Sequence, residues 1–511
     1  MKFNFLTKQK NTIVNHENAV AFPLTPEYEL YAAVVTTSLS TSFYEKDTTR
    51  LDRIKALIQK CNPEFVAKLA VYARNEMNMR SVPLVLVVEL AKIYSGDALI
   101  SKMIAKVIQR VDEITELLAY YQMANHRNGI KKLNRLSKQV QKGLAISFNK
   151  FDEYQLAKYN RDGTVKLKDA LFLVHPKAKD EAQQNLFDKI ATDTLQTPYT
   201  WETELSQLGQ VKYYSEAEKQ KAFTQKWEEL INSNKLGYMA LMRNLRNIME
   251  ATVSGYHMEK VCNYLANEKA VMHSKQLPFR FLAAYRELKD MKSKYTSMVL
   301  DALETAVMLS AKNIKGFEVD TSVVVACDVS GSMQQPISSR SKILLYDVGL
   351  MLGMLMQSRC KNVVSGMFGD KWKIINMPKR SILSNVNEYY KREGEVGYAT
   401  NGHLVIEDLI RRNERVDKVM LFTDVQLWDS TSNHYSFASS WNRYKAMAPK
   451  AKLYLFDLAG YGHAPVDMQK NDVYLIAGWS DKVFDVLHAL EDKSNALSYI
   501  NSIELQKKAT A

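Results

Sequence analysis

Proline and glycine are scarce in this 511-residue chain, at 11 and 19 residues, which excludes collagen-like and low-complexity architectures. Cysteine is scarcer still. Cys61, Cys262, Cys327 and Cys360 form no CxxC pair and have no histidine at zinc-ligand spacing. Neither a disulfide framework nor a zinc site is expected. The longest apolar run, residues 82–88, stops at Glu89, far short of a bilayer span. The opening residues MKFNFLTK lack the apolar stretch of a signal peptide. These absences predict a reduced, soluble, cytoplasmic protein without membrane contact. P-loop, HExxH and GxSxG signatures are missing too, and no convincing Cys/His pair is present, so no enzyme is expected.

What is present is an ordinary globular composition, 46% hydrophobic and 24% charged, long enough for roughly two to four domains. The net charge is +13. It is unevenly placed: 23 of the 69 basic and 22 of the 56 acidic residues lie in 316–511. The excess belongs to residues 1–315. A basic region joined to a neutral one suggests an acidic partner for the first, such as nucleic acid.

Texture changes at the same place. Helical periodicity dominates 49–315. Asn62-Pro63-Glu64 supplies a cap, a proline at the first helical position and an acid in the first turn. Further helices are expected over roughly 81–95, 99–110, 111–124, 131–147, 216–233, 238–252, 256–267, 277–290 and 295–312. Short connections between them predict a bundle or a helical-repeat solenoid. From 316 onward, strands and helices alternate. Strands are expected near 319–326, 362–367, 418–422, 452–458 and 473–476, and helices near 341–357, 401–412, 438–447 and 480–491. That order predicts a doubly wound parallel sheet. The domains expected are thus 1–315, all-α, and 316–511, α/β.

A ligand site in such a sheet lies at the carboxyl ends of the strands. Three segments fall there. The first strand runs into Asp328-Val329-Ser330-Gly331-Ser332, a loop before a helix holds Thr400, and a later strand ends in Asp424. Two carboxylates and three hydroxyls suit a hard divalent cation such as Mg²⁺, which takes oxygen ligands and keeps waters. The arrangement resembles the metal-ion-dependent adhesion site of von Willebrand factor A domains over about 316–490. Its DxSxS, Thr and Asp match Asp328, Ser330, Ser332, Thr400 and Asp424. The resemblance implies a non-catalytic site that takes a carboxylate from a partner.

The basic half carries its own signal. No acid occurs between Glu116 and Asp152. Lys131, Arg135, Lys138 and Lys142 follow i, i+4, i+7, i+11, which predicts one cationic helix face that an anion would neutralise. Farther on come Lys158, Tyr159, Arg161 and His175, with Tyr159 and His175 able to stack on bases. Taken alone, a histidine before a proline, as His175 is, is more often a structural cap than a ligand.

The order of elements resembles the Ro autoantigen (TROVE-domain) family and its bacterial orthologues. The matching segments are FVAKLAVYAR at 65–74, the residues from Lys158 to His175, TWE at 200–202, MALMRNLRN at 239–247 and LPFR at 277–280. The resemblance implies a ring of HEAT-like helical repeats closed by the A domain. It implies that Y RNA binds the outer surface and that single-stranded 3′ ends of misfolded small RNAs enter the positive hole. Family positions that contact Y RNA carry over to Lys158 and His175. A third, an arginine, falls opposite Asp162, with Arg161 one place earlier. An exoribonuclease such as polynucleotide phosphorylase is an implied associate, and a monomer is expected. The rival reading is a metal-dependent protein-interaction adaptor whose basic half binds acidic proteins or surfaces.

Overall fold

The computed structural model describes residues 13–14, 20–37, 47–125, 136–274, 276, 278–313, 320–337, 341–378, 381–427, 436–466, 472–478 and 496–505. They divide into two compact units. One takes the described residues up to 57, those of 314–479, and 496–497; the other takes those of 58–313 and 498–505.

The α/β unit is built on six strands in the order β5-β4-β3-β6-β7-β9. These are β3 (Ser322–Asp328), β4 (Asn362–Phe368), β5 (Trp372–Ile374), β6 (Lys418–Thr423), β7 (Lys452–Asp457) and β9 (Val473–Ala477). Every neighbouring pair is parallel except the β4–β5 edge. Strands β3, β6, β7 and β9 are almost wholly buried, apolar runs, as a sheet covered on both faces requires. The helix Leu345–Arg359 lies on β3, β4 and β6. Gly349 and Gly353 permit that approach. A Cβ on Gly349 would meet Phe422 at 2.6 Å, and one on Gly353 would meet the Ser365 hydroxyl at 2.7 Å. The chain leaves β3 for β4 on one side and returns to β6 on the other. The crevice between the carboxyl ends of β3 and β6 is therefore the topological switch point, where ligands bind in such sheets.

The described residues up to 57, expected with the helical domain, belong in space to the α/β unit. Strand β2 (Val20–Pro23) pairs antiparallel with β1 (Ile13–Val14) and with β8 (His463–Ala464). Arg50, buried, donates to Ala459 O at 2.5 Å and to the Thr36 hydroxyl at 3.0 Å, and Arg53 donates to Gly460 O at 2.7 Å. Gly460 sits at φ +72 against Thr36 and Ala32, where a Cβ would collide. These long-range pairings leave no periodic mark on the sequence of 1–48.

The helical unit begins as expected. Asn62 caps Pro63–Asn75 by accepting from the Glu64 amide at 2.8 Å. Helices then layer in succession. Pro63–Asn75 packs on Ser81–Ile93 and Leu99–Val107, Ser81–Ile93 on Asp112–Ala124, and Leu99–Val107 on Lys138–Phe148. The buried pair Arg74–Glu113, at 2.7 Å, ties two layers. Glu113 Oε2 also accepts from the amides of Gln109 and Arg110. Residues 498–505 join this unit: Tyr499 meets Tyr72 edge-on at 6.0 Å, and Lys68 donates to Asn501 O.

Two helix expectations need correction. The segment 238–252 is two helices, Tyr238–Arg243 and Leu245–Glu250, broken at Asn244. The Asn244 side-chain amide donates to Ala240 O at 2.8 Å, the local competition that disfavours asparagine inside helices. The helix expected at 131–147 starts at Lys138, because Ser137 is extended. Short helices at Glu153–Tyr159, Leu167–Val174, Glu181–Ala191 and Trp201–Gly209 were not expected. The helix expected at 480–491 lies outside the described residues. No described helix is long and apolar enough to cross a membrane. The four cysteines are all buried.

Candidate metal centre and nucleic-acid interface

The five residues expected at the metal site are all buried at the carboxyl edge of the sheet. Asp328 ends β3. Its Oδ1 accepts from the Ser330 amide at 2.9 Å and its Oδ2 from the Thr423 hydroxyl at 2.7 Å. The Ser330 and Ser332 hydroxyls stand 3.3 Å apart on the turn that follows. Thr400 donates its hydroxyl proton to Gln426 O at 2.9 Å, which leaves its lone pairs for a ligand. Asp424 follows β6. Its Oδ1 accepts from the Gln426 amide at 3.1 Å, while its buried Oδ2 has no hydrogen-bond partner. Burial and the neighbouring Asp328 push the Asp424 pKa well above the ordinary carboxylate range, with the nearby Ser332 hydroxyl opposing.

An orphaned buried carboxylate oxygen is costly unless something neutralises it. The donor set fits a hard cation. Among the described residues, no three of His, Cys, Asp and Glu converge on a metal position. The site thus offers two carboxylates and three hydroxyls, and waters would complete the shell, a pattern suited to Mg²⁺ and unsuited to Zn²⁺. The backbone at the site is strained: Val425, β-branched and buried, has φ +65. Sequence reasoning named the five candidate ligands and missed their neighbours Thr423 and Gln426, and His463 behind Gln426. The Gln426 side-chain nitrogen lies 2.7 Å from His463 Nε2.

On the helical unit, Lys138 and Lys142 are exposed one turn apart. Val140, Gly143, Leu144 and Ser147 are the buried face of the same helix. A Cβ on Gly143 would meet Ile104 at 2.7 Å, which shows how closely that face is packed. Neither lysine has an ion-pair partner among the described residues. Lys131 and Arg135 lie outside the described residues, and the helix of Lys138 does not extend back to them.

Lys158 sits on Glu153–Tyr159, with its ammonium 5.5 Å from the Tyr154 ring centre. Arg161 is exposed. Asp162 is engaged by Lys166 at 2.8 Å. His175 is exposed in the left-handed region, φ 48 and ψ 58, and terminates Leu167–Val174. It is therefore a structural cap whose ring remains accessible. Tyr159 is less available than expected, because Arg110 stacks over its ring at 4.3 Å.

The structure adds three arginines that the sequence reading did not single out. Arg280 is solvent-accessible, and its pKa is lowered by partial desolvation and by Arg243 and Arg80. Arg80 is lowered in turn by burial, Arg110 and Arg74, with Asp112 and Glu113 opposing. Like charges held within electrostatic reach of one another form a site for an anion. Each arginine stands on a different helical segment, so no local pattern announces the cluster.

Comparison with known proteins accords with both units. A TROVE domain model matches residues 8–226 and 194–314, and a Ro60 vWA domain model matches 322–491. The crystal structure of the Deinococcus radiodurans Ro (RSR) protein matches with a TM-score of 0.59 at 17% identity, covering 90% of this chain and 99% of that one. Telomerase protein component 1 is 24% identical over 331 residues in Rattus norvegicus and 24% over 343 in Mus musculus. Those alignments cover 49% and 51% of this chain but only 12% and 13% of the two relatives. With family models spanning both units, the chain belongs to the TROVE-domain Ro family.

Proposed function

We propose that the chain is a non-catalytic scaffold for noncoding RNA. The observation that carries this reading is the group of exposed arginines Arg80, Arg243 and Arg280, in which burial and then the charges of Arg243 and Arg80 lower the Arg280 pKa. Phosphates of a single-stranded 3′ end would relieve that repulsion. Exposed Lys138, Lys142, Lys158, Arg161 and His175 would take a structured, Y-like RNA, with phosphate contacts from the lysines and arginine and base or sugar contacts from His175. Lys131 and Arg135 extend the same basic stretch in sequence. The cellular role is RNA quality control, or the presentation of misfolded small RNA to an exoribonuclease such as polynucleotide phosphorylase.

In the α/β unit, Asp328, Ser330, Ser332, Thr400 and Asp424 would hold a divalent cation, Mg²⁺ in the first instance. When bound, it supplies a Lewis-acidic position for a partner carboxylate. The orphaned Asp424 Oδ2 favours this protein-recruiting role. Two carboxylates serving as ligands are not a general acid/base pair, which supports the non-catalytic reading.

The test uses the full chain and a labelled hairpin RNA with a single-stranded 3′ tail, titrated at several KCl concentrations. We expect affinity that falls steeply with salt, at about 0.7 log units per log unit of salt for each phosphate neutralised on a single strand. Loss of the tail should weaken binding. Salt-insensitive binding, no binding, or RNA cleavage by the protein would each overturn the proposal.

A further inference from the structure

We infer that His463 and Gln426 are positioning residues for the cation site: together they fasten two of its three loops. The inference rests on the metal reading above and concerns residues outside the ligand set.

Gln426 is the common anchor. Its backbone amide donates to Asp424 Oδ1 at 3.1 Å, and its carbonyl accepts the Thr400 hydroxyl at 2.9 Å. Its side-chain nitrogen donates to Asp424 O at 3.3 Å and to His463 Nε2 at 2.7 Å. Both amide hydrogens are thereby used, and the imidazole proton belongs on Nδ1. Gln426 is wholly buried and His463 nearly so, so water does not substitute for either partner. Between the anchor and the ligand lies Val425 at φ +65. A β-branched residue stays in that region only where its surroundings over-determine it. The hydrogen bonds of Gln426 on one side and the end of β6 on the other provide that restraint.

His463 is itself held from afar. It opens β8, which pairs with β2 through Pro23↔His463 and Phe22↔Ala464, and Leu24 donates to Gly462 O at 3.3 Å. A strand from the first 25 residues thus braces a histidine that braces the loop of Asp424. Such outer partners tune a metal site by orienting its ligands, and losing one commonly costs about 10–100-fold in metal affinity.

Mn²⁺ binding to the full chain, followed by calorimetry and by the EPR signal of free and bound Mn²⁺, tests this. His463→Phe should weaken Mn²⁺ affinity by about tenfold or more and alter the bound spectrum. His463→Gln, whose side-chain carbonyl can accept the same hydrogen bond, should restore affinity to within about threefold of the parent. A purely structural role would lower the melting temperature of the EDTA-treated protein and give no such rescue. If His463→Phe fails to fold, Gln426→Met, which leaves β8 intact, carries the test with the same expected loss. Parent-like Mn²⁺ affinity in both His463→Phe and Gln426→Met overturns the inference. A parent chain that takes up no Mn²⁺ overturns the metal reading, and this inference with it.

Discussion

The two candidate sites differ in where their electrostatic cost is met. At the carboxyl edge of the sheet, the polar groups are buried and nearly all committed: Asp328 accepts two hydrogen bonds, Thr400 gives its proton to a carbonyl, and Asp424 keeps one orphaned oxygen. The cost is local and calls for a single point charge. On the helical unit, the charges are accessible and of one sign, spread over several helices, and water screens most of the repulsion. There the partner must be extended and polyanionic. A buried site therefore selects its ligand by geometry, and an exposed one by charge and length.

The sharpest break of this contrast is Asp424→Asn. Removing a buried ligand charge should cut Mn²⁺ affinity by about 100-fold or more. The metal-free protein should be no less stable, because a neutral amide ends the uncompensated burial of charge. Calorimetry and EDTA-treated melting curves check both halves, and RNA affinity should not move. Next in size is the triple change of Arg80, Arg243 and Arg280 to Ala. Affinity for a single-stranded 3′ tail should fall by about 10–100-fold, and the log–log salt slope by about 2. An unchanged slope would show that the cluster contacts no phosphate.

Lys138→Ala with Lys142→Ala should have a smaller effect, about five- to tenfold, with a slope lowered by about 1.4. Circular dichroism should remain unchanged, since both side chains project from the exposed face, opposite the packed one. The smallest effect separates two roles of one residue. His175→Gly should raise stability by about 0.5 kcal/mol, because glycine occupies the left-handed region without strain. The same change should weaken Y-like RNA binding if the accessible ring contacts RNA. Thermal melts and binding titrations read the two effects independently.

Legibility followed sequence distance. Asp328, Ser330 and Ser332 were readable because one turn past one strand places them together, and a buried strand announces itself as an apolar run. The cap of Asn62 on Pro63–Asn75 was readable for the same local reason. The single helix expected over 238–252 failed at Asn244, whose side chain competes with the ladder in a way that hydrophobic periodicity does not register. The cationic face of four residues failed as a single helix at Ser137.

Composition, periodicity and short motifs were enough to divide the chain into a basic helical part and a neutral α/β part. They also named five candidate cation ligands, which the fold gathers at the carboxyl edge of the sheet, and led to the TROVE-domain family. Those features depend on neighbours within a turn or a strand. The assignment of the described residues up to 57 to the α/β unit, the electrostatic reach of Arg243 and Arg80 to Arg280, and the hold of His463 on Gln426 came only from the folded chain. Each joins segments tens to hundreds of residues apart, through strand pairing, electrostatic proximity or a single buried hydrogen bond. Contacts of that kind impose no period on the sequence, so three-dimensional packing alone decides them.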